Sequence, residues 1–327
     1  MTNRLCSLLL VPLLAVLSAG LAVPAAADSG GVVRFATLPE GPGFPEGIAA
    51  DAAGNVYVAT FDFTLPNVIH VFAPSGRLST TVPLPGVVPL GLAFDASGDL
   101  YVADFGAGNV LRFAPPFTGG STPVATYAVC GGAGAGCGLN ALAFDAAGAL
   151  YASDSFGGNV FRLDPATGVV STFLSDELLR PGSHGFPPFG ANGLAFDAAG
   201  MLYIANTADD RILKYDPASG TLAGFAESVN GADGILFDGR GRLWVAANQA
   251  DEIVALDARG RVLERRGSFD GIGPDGAAKG LLFPASLVLA GGSLYVTNLA
   301  LALTPNVGDE PEEDVRVYTV SRIPLGR

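Results

Sequence analysis

The run Gly91-Leu92-Ala93-Phe94-Asp95-Ala96-Ser97-Gly98-Asp99-Leu100-Tyr101-Val102-Ala103-Asp104 decides the fold. It reads as an apolar strand, a tight turn and a second strand. Asp95 can bond its own downstream backbone and Gly98 can take a positive φ, which is the chemistry of a hairpin turn. Working outward, related text returns five more times. Gly47-Ile48-Ala49-Ala50-Asp51 precedes Val56-Tyr57-Val58-Ala59, and Ala141-Leu142-Ala143-Phe144-Asp145 precedes Leu150-Tyr151-Ala152-Ser153-Asp154. Gly193-Leu194-Ala195-Phe196-Asp197 precedes Leu202-Tyr203-Ile204-Ala205-Asn206, and Gly234-Ile235-Leu236-Phe237-Asp238 precedes Leu243-Trp244-Val245-Ala246-Ala247-Asn248. The last copy, Gly280-Leu281-Leu282-Phe283, precedes Leu294-Tyr295-Val296-Thr297-Asn298. The fifth positions (51, 95, 145, 197, 238, 284) lie 44, 50, 52, 41 and 46 residues apart. Short β runs and tight turns at that period imply a propeller.

Each unit adds a third strand, such as Asn109-Val110-Leu111-Arg112-Phe113, and a weaker fourth, such as Val169-Val170-Ser171-Thr172-Phe173. The sixth unit runs out after its third strand, read at Val315 to Val320. Val32-Val33-Arg34-Phe35-Ala36 near the start has no unit of its own. It is expected to supply the outer strand of the sixth blade and so leave no open sheet edge. The expected architecture is all-β: one six-bladed β-propeller over residues 28–327.

Composition agrees. The 45 Gly and 23 Pro among 327 residues leave little room for long helices. A hydrophobic fraction of 49% excludes global disorder. A net charge of −13 excludes nucleic acid as a partner and makes a cation the more natural guest. At the N-terminus, Arg4, the apolar run Leu5 to Val23 and Ala25-Ala26-Ala27 read as a signal peptide over residues 1–27. The mature chain is expected to be secreted or periplasmic, with no membrane segment after cleavage and a charge of 17 − 31 = −14. Cys130 and Cys137, separated by a Gly/Ala loop, are then expected to form a disulfide.

In a propeller, the loop before each innermost strand reaches one end of the central channel. The residue before the first-strand Gly, or before its equivalent Ala141 in the third unit, reads Glu46, Leu90, Asn140, Asn192, Asp233 and Lys279 around the ring. Polar side chains aimed at a low-dielectric axis need partners, and two carboxylates with two carboxamides suit Ca2+. The scarcity of Cys and His argues against zinc or copper. Glu46, Asn140, Asn192 and Asp233 are therefore the candidate metal ligands. Asp104, Asp154, Asn206, Asn248 and Asn298, which recur after the second strands, read instead as turn caps.

At Glu46-Gly47, Asn140, Ala191-Asn192-Gly193-Leu194 and Ala232-Asp233-Gly234-Ile235 the chain resembles the senescence marker protein/gluconolactonase/luciferin-regenerating family. The resemblance implies a catalytic Ca2+ and hydrolysis of lactones, esters or phosphotriesters. It implies that Glu46, Asn192 and Asp233 bind the metal, that Asn140 contacts metal or substrate, and that Asp233, then Glu46, is the base or nucleophile. The family's sugar-contacting Arg two residues before the third-blade Asn is here Gly138, which favours a more apolar ester or lactone. Lys279 is read as turned away from the cation or paired with Asp233 or Glu46, with a substrate contact as its functional reading. His184, on the loop to Asn192, is a candidate proton shuttle or substrate contact. The insertion Leu299 to Asp314 could lid the pocket. The expected protein is a monomeric calcium-dependent lactonase or esterase; the alternative is a non-catalytic NHL-like propeller that binds protein, peptide or glycan.

Overall fold

A single strand-turn-strand unit cannot cover its own apolar faces, so the units stack around one axis. The computed structural model describes residues 31–41, 43–64, 66–130, 136–183, 187–304 and 310–326. The residues read as a signal peptide lie outside these. Among the described residues there are six four-stranded antiparallel sheets and one two-stranded ribbon. The innermost strands are Phe44–Ala50, Pro89–Phe94, Leu139–Phe144, Ala191–Phe196, Ala232–Phe237 and Pro284–Ala290. Val33–Thr37 pairs with Thr319–Pro324, placing Val33 opposite Arg322 and Thr37 opposite Thr319. The first strand thus completes the last blade, as expected.

The recurring Asp of each turn is a small organiser. In Asp51, Asp95, Asp145, Asp197 and Asp238, Oδ1 accepts the backbone N–H groups two and four residues on. Oδ2 of three of them takes a hydroxyl from the next strand: Tyr57, Tyr151 and Tyr203. In the fifth blade the indole of Trp244 does the same for Asp238 at 2.9 Å. This is the work of the aromatic residue that follows Val56, Leu150, Leu202 and Leu243. Between blades lies the core. Ile69, Val71, Leu100 and Val102 fill the seam between the first two blades, and Trp244, Ile253, Leu287 and Val296 fill that between the last two. Each such fully buried side chain contributes about 1.5–3 kcal/mol.

The sixth blade departs from the expected register. Its innermost strand is Pro284–Ala290, not the Gly280–Phe283 run, and its third strand is Thr319–Pro324, not Val315 to Val320. Gly280 (φ 78°) and Phe283 (φ 46°) take left-handed backbone, so the ribbon strand ends at Gly280 and the blade strand begins only after Phe283. The Phe283 N–H is held by the Asp251 carboxylate at 2.7 Å. Lys279 belongs to the ribbon formed by Phe269–Ile272 and Ala278–Gly280.

His70, in the third strand of the first blade, is structural. It is buried and its Nδ1 lies 3.0 Å from Thr81 Oγ1. Burial alone lowers its pKa to about 4. The folded protein therefore refuses a proton that the unfolded chain accepts, and stability falls as pH drops from about 6.5 toward 4. With only two histidines in the sequence, the NMR titration is readable: one imidazole should show a midpoint near 4. A His70→Gln variant should lose the corresponding part of the acid destabilisation, on the order of 2–3 kcal/mol.

Candidate functional site

Every innermost strand carries the same irregularity near its start. The ladder to the second strand shifts between Pro45 and Ile48, Pro89 and Leu92, Leu139 and Leu142, Ala191 and Leu194, Ala232 and Ile235, and Pro284 and Leu287. Such a bulge re-aims the side chains at the skipped positions. The first skipped residue of each blade makes a ring at the channel: Glu46, Leu90, Asn140, Asn192, Asp233 and Ala285. The next residue is Gly in four blades because the following blade leaves no room. A Cβ on Gly47 would overlap the Leu90 carbonyl, and one on Gly193 that of Asp233.

This register corrects the sixth position. It is Ala285, fully buried, and not Lys279, which is exposed and lines none of the cavities around the channel. Lys279 therefore neither opposes a cation there nor pairs with Asp233 or Glu46. His184 lies outside the described residues. Glu46, Asn140 and Asn192 line the channel, and Glu46, Asn192 and Asp233 floor a wider cavity of about 200 Å³ above it.

A second ring stands just above the first, made by the residues that follow the second-strand caps. It reads Phe61, Phe105, Ser155, Thr207, Asn248 and Leu299. Its polar half faces the polar half below. Asn140 Nδ2 donates to Ser155 Oγ at 3.2 Å, Asn192 Nδ2 to Thr207 Oγ1 at 3.0 Å, and Asn248 Nδ2 to Asp233 Oδ2 at 3.0 Å. Asn248 is thus no turn cap. In its blade the cap position is Ala247, opposite Ala232, and Asn248 falls one place later, into the site. Asp104 and Asp154 do cap, each accepting three backbone N–H groups.

The electrostatics are unusual. Glu46 Oε2 and Asp233 Oδ1 are buried without a hydrogen-bond partner. Burial, then the charge of Asp233, drives the Glu46 carboxyl well above the carboxylate range. Asp233 is pushed up to about 7 by burial, against the opposing hydrogen bond from Asn248 and the nearby amide of Asn192. Two interacting carboxylates with orphaned oxygens, flanked by carboxamides, form a donor set of hard oxygens that suits Ca2+. Among the described residues no group of three or more His, Cys, Asp or Glu is placed to hold a metal ion. Any cation here rests on two carboxylates and neutral oxygens.

Above the rings the walls are apolar. Phe61, Phe63, Phe105, Phe189, Leu299, Leu301 and Leu303 all line the cavity, with Phe61 packed in one cluster with the three leucines. The aromatics touch in sequence, with ring centroids 5.6 Å apart for Phe61–Phe63, 6.2 Å for Phe63–Phe105 and 5.6 Å for Phe105–Phe156. A side chain at Gly138 would meet Phe105 and Phe156 within 3.0 Å, so aromatic rings occupy the room that a polar arm would need. The leucines come from the insertion after the sixth blade's second strand. Glu310 pins that strap by accepting from the N–H groups of Leu303 and Thr304. Cys130 and Cys137 are joined in a disulfide just before the strand that carries Asn140.

Comparison with known proteins places this geometry. Residues 187–266, which contain both Asn192 and Asp233, match the family model "SMP-30/Gluconolactonase/LRE-like region". The family resemblance read from those residues is borne out over that stretch. Among solved structures, a luciferin-regenerating enzyme aligns at 18% identity with a TM-score of 0.65, covering 87% of this chain and 92% of the other. The calcium-binding protein regucalcin from Agrobacterium tumefaciens aligns at 17% with a TM-score of 0.61, covering 90% and 98%. Virginiamycin B lyase from Staphylococcus aureus aligns at 14% with a TM-score of 0.55, covering 82% and 80%. At these identities the structures share the fold. Among curated protein sequences there is no significant match.

The raised carboxyls set a pH dependence with a definite sign. Between the ordinary carboxyl range and about 7, the folded metal-free protein holds protons that the unfolded chain has released. Its stability therefore declines as pH rises through that window. Glu46→Gln removes the like-charge conflict. The metal-free variant should melt above wild type at pH 8, by roughly 3–6 °C, and the gap should close toward pH 5. An equal or lower melting temperature at pH 8 would contradict the assignment.

Proposed function

On the premise of a family match that spans Asn192 and Asp233, we propose that this protein is a calcium-dependent hydrolase of uncharged, apolar lactones or esters. The observation that carries the reading is the pair of buried, unpartnered oxygens, Glu46 Oε2 and Asp233 Oδ1, at the floor of a largely apolar cavity. Such atoms are costly to bury unless something pairs with them. Glu46, Asn140, Asn192 and Asp233 would hold the ion, and the name of the regucalcin neighbour is consistent with calcium. When bound, Ca2+ supplies positive charge to polarise a carbonyl and to offset the charge of a tetrahedral intermediate.

The chain's own groups divide the remaining work. Asp233 is the candidate base: the Asn248 amide, bonded to Oδ2, fixes the orientation of its carboxylate beside the ion site. Glu46 is the second choice, since it lacks an equivalent donor among the described residues. The phenylalanine and leucine walls bind the non-reacting part of the substrate and exclude water. Two carboxylates balance a divalent cation, and no Lys or Arg lines the cavity among the described residues. An anionic substrate would therefore find no net attraction. The filled space beside Gly138 leaves no polar arm for a sugar. A purely non-catalytic binding role is not favoured, because it offers no reason to place unpaired carboxylates at the channel. We propose further that the protein acts as a monomer after export, with residues 1–27 removed; the disulfide suits an oxidising compartment.

Calorimetric titration of the chelator-stripped protein should show about one equivalent of Ca2+, abolished in Asp233→Ala. Hydrolysis of a neutral aryl or alkyl ester should depend on that ion and exceed hydrolysis of an anionic analogue. Leu301→Ala should raise KM for the apolar ester with a smaller change in kcat. Absence of calcium uptake by wild type would overturn the reading.

A further inference from the structure

The polar residues of the second ring do more than touch those below; their protons decide which atoms the channel sees. Thr207 Oγ1 donates its one proton to the carbonyl of Ala232 at 2.7 Å. It can therefore only accept from Asn192, at 3.0 Å. Asn192 must turn its NH2 to Thr207, and the carboxamide oxygen is directed away from the hydroxyl. Ser155 repeats the arrangement one blade earlier. Its hydroxyl donates to the carbonyl of Ala191 at 2.8 Å and accepts from Asn140 at 3.2 Å.

The acceptors are as telling as the donors. Ala191 immediately precedes Asn192, and Ala232 immediately precedes Asp233. Each hydroxyl thus grips the side chain of its own blade's ring residue and the backbone that carries the next. The line runs Asn140, Ser155, Asn192, Thr207, Asp233, Asn248, all buried. Thr297 makes a comparable bond to the Glu46 carbonyl at 2.8 Å, across the seam where the ring closes.

From this we infer that Ser155 and Thr207 are positioning residues for the cation site: they set the carboxamide oxygens toward the channel and couple three ring residues into one unit. The inference rests on the calcium reading above but is separable from it. Removing either hydroxyl frees the amide to rotate and present nitrogen, which cannot ligate. Partners behind metal ligands typically influence affinity by 10–100-fold.

The test is calcium titration, by calorimetry or by luminescence of a bound Tb3+ ion, of wild type, Thr207→Val, Thr207→Ser and Ser155→Ala. Metal-free melting temperatures are measured alongside. Thr207→Val and Ser155→Ala should each lose about 10–100-fold in affinity, and Thr207→Ser, which keeps the hydroxyl, should stay close to wild type. A merely structural role would lower the metal-free melting temperature and leave affinity unchanged. Wild-type uptake with unaltered affinity in both hydroxyl-less variants would overturn the positioning role while leaving the calcium reading intact. A wild type that takes up no ion would overturn both. Should Thr207→Val not fold, Ser155→Ala carries the same decision alone.

Discussion

Two interacting acid side chains buried against an apolar cavity are the constraint around which this molecule is arranged. Glu46 and Asp233 each keep one oxygen without a partner, and neither can ionise freely beside the other. A folded domain tolerates such a conflict only when the surrounding frame over-determines it. The frame here is the propeller itself. Six bulged strands aim six residues inward, and glycines at positions such as 47 and 193 let neighbouring blades approach until backbone meets backbone. The local unfavourable term is held by interblade cores such as the one around Trp244.

The ring also shows how a repeat fold breaks its own symmetry to make a site. In the first, second and sixth blades the second ring is Phe61, Phe105 and Leu299; in the third to fifth it is Ser155, Thr207 and Asn248. The polar arc supports Asn140, Asn192 and Asp233, while Glu46 sits in the apolar arc. The two carboxyls are consequently unequal. Asp233 has donors that favour its charged form, and Glu46 has burial and a like charge against it. Burial raises both carboxyls, and among the described residues only Asp233 has a hydrogen-bond donor, Asn248, that works against the rise.

Much of this was legible in the sequence, for identifiable reasons. Each blade repeats a short-range turn chemistry, so Asp51 or Asp145 with its following Gly is readable without any tertiary knowledge. Glu46, Asn140, Asn192 and Asp233 stood out because a position that is polar against an apolar background persists through the repeat. The sixth blade defeated that logic. Gly280-Leu281-Leu282-Phe283 imitates the repeat, but left-handed backbone at Gly280 and Phe283 delays the strand to Pro284, and Lys279 fell out of the ring. Asn248 was misread for a smaller reason. Leu243-Trp244-Val245-Ala246-Ala247-Asn248 is one residue longer to its Asn than Leu202-Tyr203-Ile204-Ala205-Asn206, and counting from the Leu would have moved Asn248 from cap to site. The walls formed by Phe63, Phe189, Leu301 and Leu303 carry no repeat at all, because they come from loops that differ blade by blade.

That difference between ring and walls is a division of labour written into the architecture. The ring residues sit at bulges in the innermost strands, between ladder pairs that precede and follow them along the strand, with little freedom to drift. The walls sit on connections: Phe63 beyond the first blade's second strand, Phe189 before the fourth blade, and the leucine strap in the sixth. Mutation there reshapes the cavity without disturbing a ladder. Gly138 marks the boundary between the two regimes. It lies one residue before a ring strand, yet its space is taken by Phe105 and Phe156. Restoring a polar arm at that point would require moving two rings of the aromatic wall, not one side chain. The apolar lining is in this sense a property of several loops at once, which a single substitution at residue 138 would not reverse.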